Sequence, residues 1–131
     1  MGYSYTFKVD KIHLDTLKHV NNIVYLKWVQ DASVKHWDKL VNTELKKENV
    51  WMALRHEIDY LNQAFLDDTI TIYTWIEESK GVKSTRIVHM YKQDTLLAKC
   101  KTIWVLLDAK SLRPKRIGEE ILKLFSANEP S

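Results

Sequence analysis

The spacing of hydrophobic residues along the chain changes twice. Residues 3–9 alternate between apolar and polar side chains, which predicts a strand. Apolar residues then recur at helical spacing up to about Val41. This helix is expected to begin at Asn21 or Asn22, because asparagine is a favoured N-cap residue. From Val50 onwards the period of two returns. The chain therefore predicts one strand, one long helix and then a second set of strands.

The second set comprises four strands that follow one another closely. Turn-forming residues lie at 79–82 and 93–94, so the strands that flank them are expected to pair as antiparallel hairpins. The four predicted strands are Val50–Asn62, Thr69–Glu78, Lys83–Lys92 and Leu96–Leu107. A short helix at Ile117–Phe125 ends the pattern. This segregation of a long helix from a strand meander favours an α+β fold over repeated βαβ units.

The long helix carries only a narrow polar stripe, formed by Lys27, Asp31, Lys35 and either Asp38 or Lys39. Nearly all of its other positions are apolar, which predicts burial around most of its circumference. A helix enclosed by a curved sheet would show this pattern. The later strands carry aromatic residues on both faces, which the pairing of subunits would explain.

Composition and charge exclude several function classes. The 131 residues are expected to form a single domain, 1–131, and its 20 basic and 17 acidic residues are too evenly balanced for a nucleic-acid scaffold. Cys100 is the only cysteine, which excludes a disulfide framework. The histidines lack the spacing of metal ligands, so we expect no metal site. Since no signal segment or bilayer-spanning run is present, we expect a cytoplasmic protein without membrane contact.

Asp15 is the candidate for chemistry, because it precedes the start of the long helix by a few residues. Backbone N–H groups at a helix N-terminus lack partners and can hold the oxygen of an acyl carbonyl. A carboxylate beside them could direct the attack on that carbonyl. The alternative is an aspartate that only caps a turn.

Three blocks of sequence together resemble a known family, the hot-dog-fold acyl-CoA thioesterases of the 4-hydroxybenzoyl-CoA thioesterase-like family. The first block is Asp15-x-x-x-His19-Val20-Asn21-Asn22-x-x-Tyr25; the second is Ile58-Asp59-Tyr60 with Ala64 and Asp68; the third is Thr102-x-Trp104-Val105-x-x-x-Asp108 with Arg113-Pro114. The resemblance implies a curved antiparallel sheet wrapped around one central helix. It also implies a homodimer or homotetramer and a reaction that needs no cofactor.

The chain departs from the family's pattern at three positions. Lys18 and Asp67 stand where the family commonly has glycine, and Gln63 stands where it often has proline. If the position of Lys18 requires a positive φ, a residue other than glycine costs about 1 kcal/mol there.

The resemblance also implies roles for individual residues. Asp15 would act as the nucleophile, through a mixed anhydride, or as the general base on water. Backbone N–H groups near Asn22 would form the oxyanion site. His19 would polarise the substrate or hold the loop by hydrogen bonds. Asn21 and Tyr25 would contact the substrate, although Asn21 is first of all a capping residue.

A coenzyme A substrate brings phosphates, which need cations. Lys80, Lys83 and Arg86 cluster around the predicted turn at Gly81 and are candidates to bind them across a subunit interface. A second basic cluster at 113–116 is an alternative, and both clusters could simply be solvated.

These observations lead to the hypothesis of an acyl-CoA thioesterase. The same chemistry could serve an acyl-carrier-protein substrate. The main alternative from another class is a non-catalytic hot-dog module that binds an acyl ligand. A hot-dog dehydratase is disfavoured, because the helix lacks the histidine and acidic residues that it would need.

Overall fold

A computed structural model describes residues 2–127 of the chain. It contains five strands and three α-helices, with a short 3₁₀ helix at Lys11–His13. The strands are β1 (Tyr3–Lys8), β2 (Asn49–Tyr60), β3 (Thr69–Lys80), β4 (Lys83–Lys92) and β5 (Thr95–Asp108). The helices are α1 (Asn22–Leu40), α2 (Thr43–Glu48) and α3 (Glu119–Ser126).

The strands form one antiparallel sheet in the order β1-β3-β4-β5-β2. Tight turns join β3 to β4 and β4 to β5, as predicted. Gly81 has φ +64° in the first turn and Gln93 has φ +54° in the second. Left-handed backbone of this kind matches the twist of a hairpin. β1 and β2 form the two edges, and a register shift between Ala53 and Arg55 interrupts the pairing of β2 with β5.

The main core lies between α1 and one face of the sheet. Trp28, Val29 and Ala32 of the helix pack against inward residues of the strands, such as Ile72 and Met90. All five are at most 4% exposed. This arrangement of a curved sheet against one long helix is the predicted α+β hot-dog architecture.

The helix is less enclosed than its polar stripe predicted. Its buried residues form one stripe, comprising Tyr25, Trp28, Val29, Ala32, Ser33, His36 and Trp37. Ile23 is 75% exposed and Val34 is 56% exposed. The prediction of burial around most of the circumference is therefore wrong for this single chain, because the sheet covers only one side of the helix.

Helix α2 was not predicted, although its sequence carries a start signal. The side chain of Asn42 caps it by accepting a hydrogen bond from the Leu45 N–H at 2.8 Å. Glu44 lies in its first turn and Lys46 in its last, as suits the helix dipole. Within residues 2–127, no helix is long and apolar enough to cross a membrane.

Candidate active site

A tight loop carries Asp15 up to the start of α1. The loop closes on itself, because the Asp15 N–H donates to the His19 carbonyl at 2.8 Å and the Lys18 N–H donates to the Asp15 carbonyl at 3.1 Å. It is also tied to the segment after β2, where the Val20 N–H donates to the Ala64 carbonyl at 3.0 Å. Asp15 is thereby fixed beside the N-terminus of α1.

The two carboxylate oxygens of Asp15 have different surroundings. Oδ1 accepts hydrogen bonds from the N–H groups of Leu17 at 2.9 Å and His19 at 3.1 Å. Among residues 2–127, no group donates a hydrogen bond to Oδ2. The side chain is half-buried. One oxygen therefore holds the loop, while the other is available to a ligand or to water.

The first turn of α1 contains a backbone donor, the N–H of Asn22, that has no partner among residues 2–127. Asn21 is the N-cap, and its Oδ1 accepts from the Ile23 N–H at 3.1 Å while its carbonyl accepts from the Val24 N–H at 2.8 Å. Its own N–H donates to the His13 carbonyl at 2.9 Å. No acceptor within the described part of the chain faces the N–H of Asn22. Because the helix dipole is positive here, this donor suits a developing oxyanion.

His19 and Tyr25 occupy different environments. His19 is half-buried and stacks edge-on against Phe65, with ring centroids 5.2 Å apart. Tyr25 is 2% exposed, and its hydroxyl accepts from the Ala64 N–H at 3.2 Å. Burial raises the pKa of this hydroxyl. In this chain Tyr25 is a core residue that supports the Ala64 backbone, which corrects the expectation that it faces the substrate.

Two of the departures from the family pattern coincide with left-handed backbone. Lys18 has φ +62° and Asp67 has φ +65°. Side chains are disfavoured in this region, with aspartate tolerated better than lysine. The loop that holds Asp15 thus closes with the turn geometry that glycine favours, even though a lysine occupies the position.

The predicted basic cluster does not form as a unit. Lys80 and Lys83 are exposed at the Gly81 turn, whereas Arg86 is 4% exposed and points into the core. The expectation that Arg86 joins a surface phosphate site is therefore wrong for this chain, since alternation along β4 turns its side chain inward. β3 also separates this turn from the Asp15 loop by on the order of 35 Å.

Arg86 belongs instead to a buried polar centre beside the second half of α1, which it forms with His36 and Thr74. Its Nη1 donates to Thr74 Oγ1 at 2.9 Å and lies 2.9 Å from His36 Nδ1. Burial, together with the Arg86 charge, lowers the pKa of His36 to about 4, and burial lowers the pKa of Arg86 to about 9. At neutral pH the histidine is therefore neutral and its Nδ1 accepts from the charged guanidinium.

The sequence analysis missed this centre, although two signals pointed to it. His36 continues the buried stripe of α1 at helical spacing from Val29 and Ala32. Arg86 alternates in phase with Val88 and Met90, which are buried core residues of the same strand. Polar residues on a buried stripe are informative because each needs a partner.

Other side chains of residues 2–127 lie outside the Asp15 loop and the Arg86 centre. Asp31 forms no ion pair with Lys27 or Lys35 there. Cys100 is buried, and burial raises the pKa of its thiol. Among the described residues, no group of three His, Cys, Asp or Glu side chains could hold a metal ion.

Comparison with known proteins shows the family. The sequence model of the thioesterase-like superfamily matches residues 11–125. The long-chain acyl-CoA thioesterase FadM of Escherichia coli is 25% identical over 121 residues, covering 87% of this chain and 89% of that protein.

Solved structures show the same fold. The probable thioesterase YbaW of Escherichia coli superposes with a TM-score of 0.81 at 22% identity, over 97% of this chain and 98% of that one. A hypothetical protein of Staphylococcus aureus, solved in complex with CoA, superposes with a TM-score of 0.88 at 15% identity, over 100% of this chain and 87% of that one. The predicted hot-dog fold and thioesterase family are confirmed, and the chain belongs to the thioesterase-like superfamily.

Proposed function

We propose that this protein hydrolyses an acyl-CoA thioester at Asp15. The observation that carries the proposal is the pairing of two free groups in one short loop. The Oδ2 atom of Asp15 has no donor within the described chain, and the N–H of Asn22 at the helix start has no acceptor. Hydrolysis of a thioester needs an attacking oxygen and a donor for the oxyanion, and the loop supplies both.

The chemistry runs through addition to the thioester carbonyl. An oxygen bonds to the carbonyl carbon, the carbonyl oxygen becomes an oxyanion at the Asn22 N–H, and the carbon–sulfur bond breaks to release the thiolate of CoA. In one route Asp15 removes a proton from the attacking water. In the other its carboxylate attacks directly, and water then hydrolyses the mixed anhydride. His19, held against Phe65, positions the loop in both routes.

The relatives support a CoA thioester in preference to a carrier-protein substrate. FadM is named as a long-chain acyl-CoA thioesterase, and the Staphylococcus aureus structure contains CoA. A second neighbour, a thioesterase from Thermus thermophilus with a TM-score of 0.86 and 22% identity, was solved with coenzyme A and Zn.

We also propose that the working unit is a dimer joined along β2. This strand is a sheet edge, and Met52 and Leu54 on it are 47% exposed. Antiparallel pairing of β2 with its copy would bring the Gly81 turn of one subunit beside the Asp15 loop of the other. Lys80 and Lys83 could then bind the phosphates of CoA, which they cannot do within one chain. Light scattering measures the mass, and a monomer would contradict this arrangement.

The test of function is an assay of thiol release from acyl-CoAs of increasing chain length, with wild type and Asp15→Asn. We expect kcat for the variant to fall by at least about 100-fold at an unchanged melting temperature, because only the attacking group is altered. Asp94→Asn, at the exposed turn between β4 and β5, is the matched control and should keep full activity. Full activity of Asp15→Asn would overturn the assignment.

Two further results separate the remaining alternatives. Saturable binding of acyl-CoA without turnover across the panel would favour a non-catalytic binding module. A single turnover in ¹⁸O-labelled water tests for the covalent route. Label in the Asp15 carboxylate would show a mixed anhydride that opens at the Asp15 carbonyl, whereas label only in the released acid fits a general base or an anhydride that opens at the acyl carbonyl.

A further inference from the structure

A cavity of about 270 Å³ lies beside the second half of α1, between this helix and the sheet. Aromatic rings from Trp37, Trp51, Trp104 and Phe125 form much of its wall, and Arg86 also lines it. An apolar cavity of about 150 Å³ is sufficient to hold benzene, so this one can hold a small organic molecule.

Arg86 is the unusual member of this wall. It is 4% exposed, and among residues 2–127 no carboxylate forms an ion pair with it. Its hydrogen bonds to His36 and Thr74 both involve Nη1 and go to neutral groups. A charge removed from water in this way is strongly unfavourable unless an opposite charge compensates it.

The other cation of the cavity is already compensated. Lys46 lies at the exposed rim, and its Nζ is 2.9 Å from Asp38 Oδ1. The uncompensated charge is therefore at the buried end of the cavity, away from the rim. An anion attracted by surface charge alone would stop at Lys46, whereas an anion that enters the cavity can reach Arg86.

The neutral polar groups of the wall differ in whether they have hydrogen-bond partners. Ser33 donates to the Val29 carbonyl, and Ser84 shares a hydrogen bond with Ser79. The indole Nε1 of Trp104 is buried and has no hydrogen-bond partner among residues 2–127. The cavity wall thus carries one uncompensated cation, so the group that it lacks is an acceptor with negative charge.

We propose that this cavity binds the carboxylate of a small aliphatic acid, with the carboxylate on Arg86 and the hydrocarbon body among the surrounding aromatic rings. A carboxylate satisfies the guanidinium by charge-assisted hydrogen bonds. The aromatic walls suit the apolar body, as in most ligand pockets.

This site lies apart from Asp15 within the chain. Asp15 adjoins the first residue of α1, and Trp37 lies fifteen residues further along the helix. At the rise of an α-helix this separation is roughly 20 Å. Binding at Arg86 is measured by titration without acyl-CoA, which reports on the cavity and not on thioester hydrolysis.

The test compares three probes that share one hydrocarbon chain. Hexanoate, hexan-1-ol and hexylamine are titrated at neutral pH into the purified protein, with binding followed by calorimetry and by the fluorescence of the cavity tryptophans. We expect saturable binding of hexanoate, at least about tenfold tighter than hexan-1-ol, and no binding of hexylamine. Equal binding of the acid and the alcohol would overturn the proposal, and so would no binding of the acid.

Variants then locate the carboxylate. Arg86→Gln should weaken hexanoate binding by at least about tenfold, because it removes the charge that the carboxylate contacts. Lys46→Gln removes the charge at the rim and should leave binding unchanged. Loss of binding in Lys46→Gln with retention in Arg86→Gln would place the anion at the surface and overturn the proposal.

A crystallographic readout keeps the proposal testable if Arg86→Gln fails to fold. Wild-type crystals soaked in 6-bromohexanoate give an anomalous signal at the bromine. We expect this signal inside the cavity and the carboxylate on Arg86. A bromine outside the cavity, or a carboxylate directed at Lys46, would overturn the assignment.

Discussion

The two ends of α1 deal with charge in opposite ways. At the N-terminal end, Asp15 is held in a half-buried loop, and backbone N–H groups satisfy one of its oxygens. In the second half, the buried Arg86 contacts the neutral groups of His36 and Thr74. Asp15 is half-buried, whereas the side chain of Arg86 is only 4% exposed.

Asp15 and Arg86 are therefore held in place by different parts of the molecule. The surroundings of Asp15 are built from residues close to it in sequence, so changes there should alter activity more than folding. The surroundings of Arg86 come from a helix and two strands far apart in sequence. Changes there should alter the stability of the whole domain.

Acid should lower the free energy of unfolding, and the largest contribution should come from His36 in the second half of α1. Because His36 has a folded-state pKa of about 4 and an ordinary value of 6.5, folding favours its neutral form. Stability is therefore complete above pH 6.5 and is lost as the pH falls from 6.5 towards 4, by on the order of 2 kcal/mol. Denaturant unfolding at pH 7 and at pH 4.5 measures the loss.

Two histidine variants identify the source of that acid sensitivity. His36→Asn should flatten most of the pH dependence. His89→Asn, on the outer face of the sheet, should remove less, since burial and Lys99 lower the pKa of His89 to a smaller extent. An unchanged pH dependence in His36→Asn would show that the buried centre does not govern it.

Tyr25→Phe tests whether Tyr25, near the N-terminal end of α1, stabilises the fold or takes part in catalysis. The substitution leaves the buried N–H of Ala64 without its acceptor, and we expect it to lower the free energy of unfolding by about 1.5 kcal/mol. Because the ring stays in the core, kcat/KM measured well below the melting temperature should change by less than about twofold. A large loss of kcat at unchanged stability would return Tyr25 to the substrate site.

The smallest effect is expected in the Asp15 loop itself. Lys18→Gly should raise the free energy of unfolding by about 1 kcal/mol, because glycine adopts φ +62° without strain. Asp67→Gly should gain about half as much, since aspartate tolerates this region better. Thr16→Gly, at a neighbouring position of the same loop, is the control and should give no gain. Thermal unfolding measures all three, and equal gains would contradict the strain argument.

Local patterns were sufficient to predict most of the fold. The period of two in β3 and β4, with turn residues between them, indicated the hairpin that the structure contains. The N-cap of α1 was correctly narrowed to Asn21 or Asn22. The exposure of Ile23 and Val34 could not be predicted, because helix periodicity shows which positions are apolar and not which of them the sheet covers.

One part of the candidate site could be predicted from local sequence and another part could not. The position of Asp15 before the helix start follows from local sequence, and the hydrogen bonds of its carboxylate join residues within four positions, whereas the contacts of the loop with Ala64 and Phe65 do not. The inward side chain of Arg86 was mistaken for a surface cation, because three basic residues near a turn look alike in sequence. Its contact with His36 joins residues fifty positions apart, which no local pattern contains.

The strand order also determines when the sheet can assemble during synthesis of the chain. β1 pairs only with β3, and β2 pairs only with β5, so both early strands leave the ribosome long before their partners. β3, β4 and β5 are sequence neighbours joined by short turns and can pair as soon as they emerge. We therefore expect the C-terminal half to pair first and the N-terminal segment that carries Asp15 to dock on it afterwards.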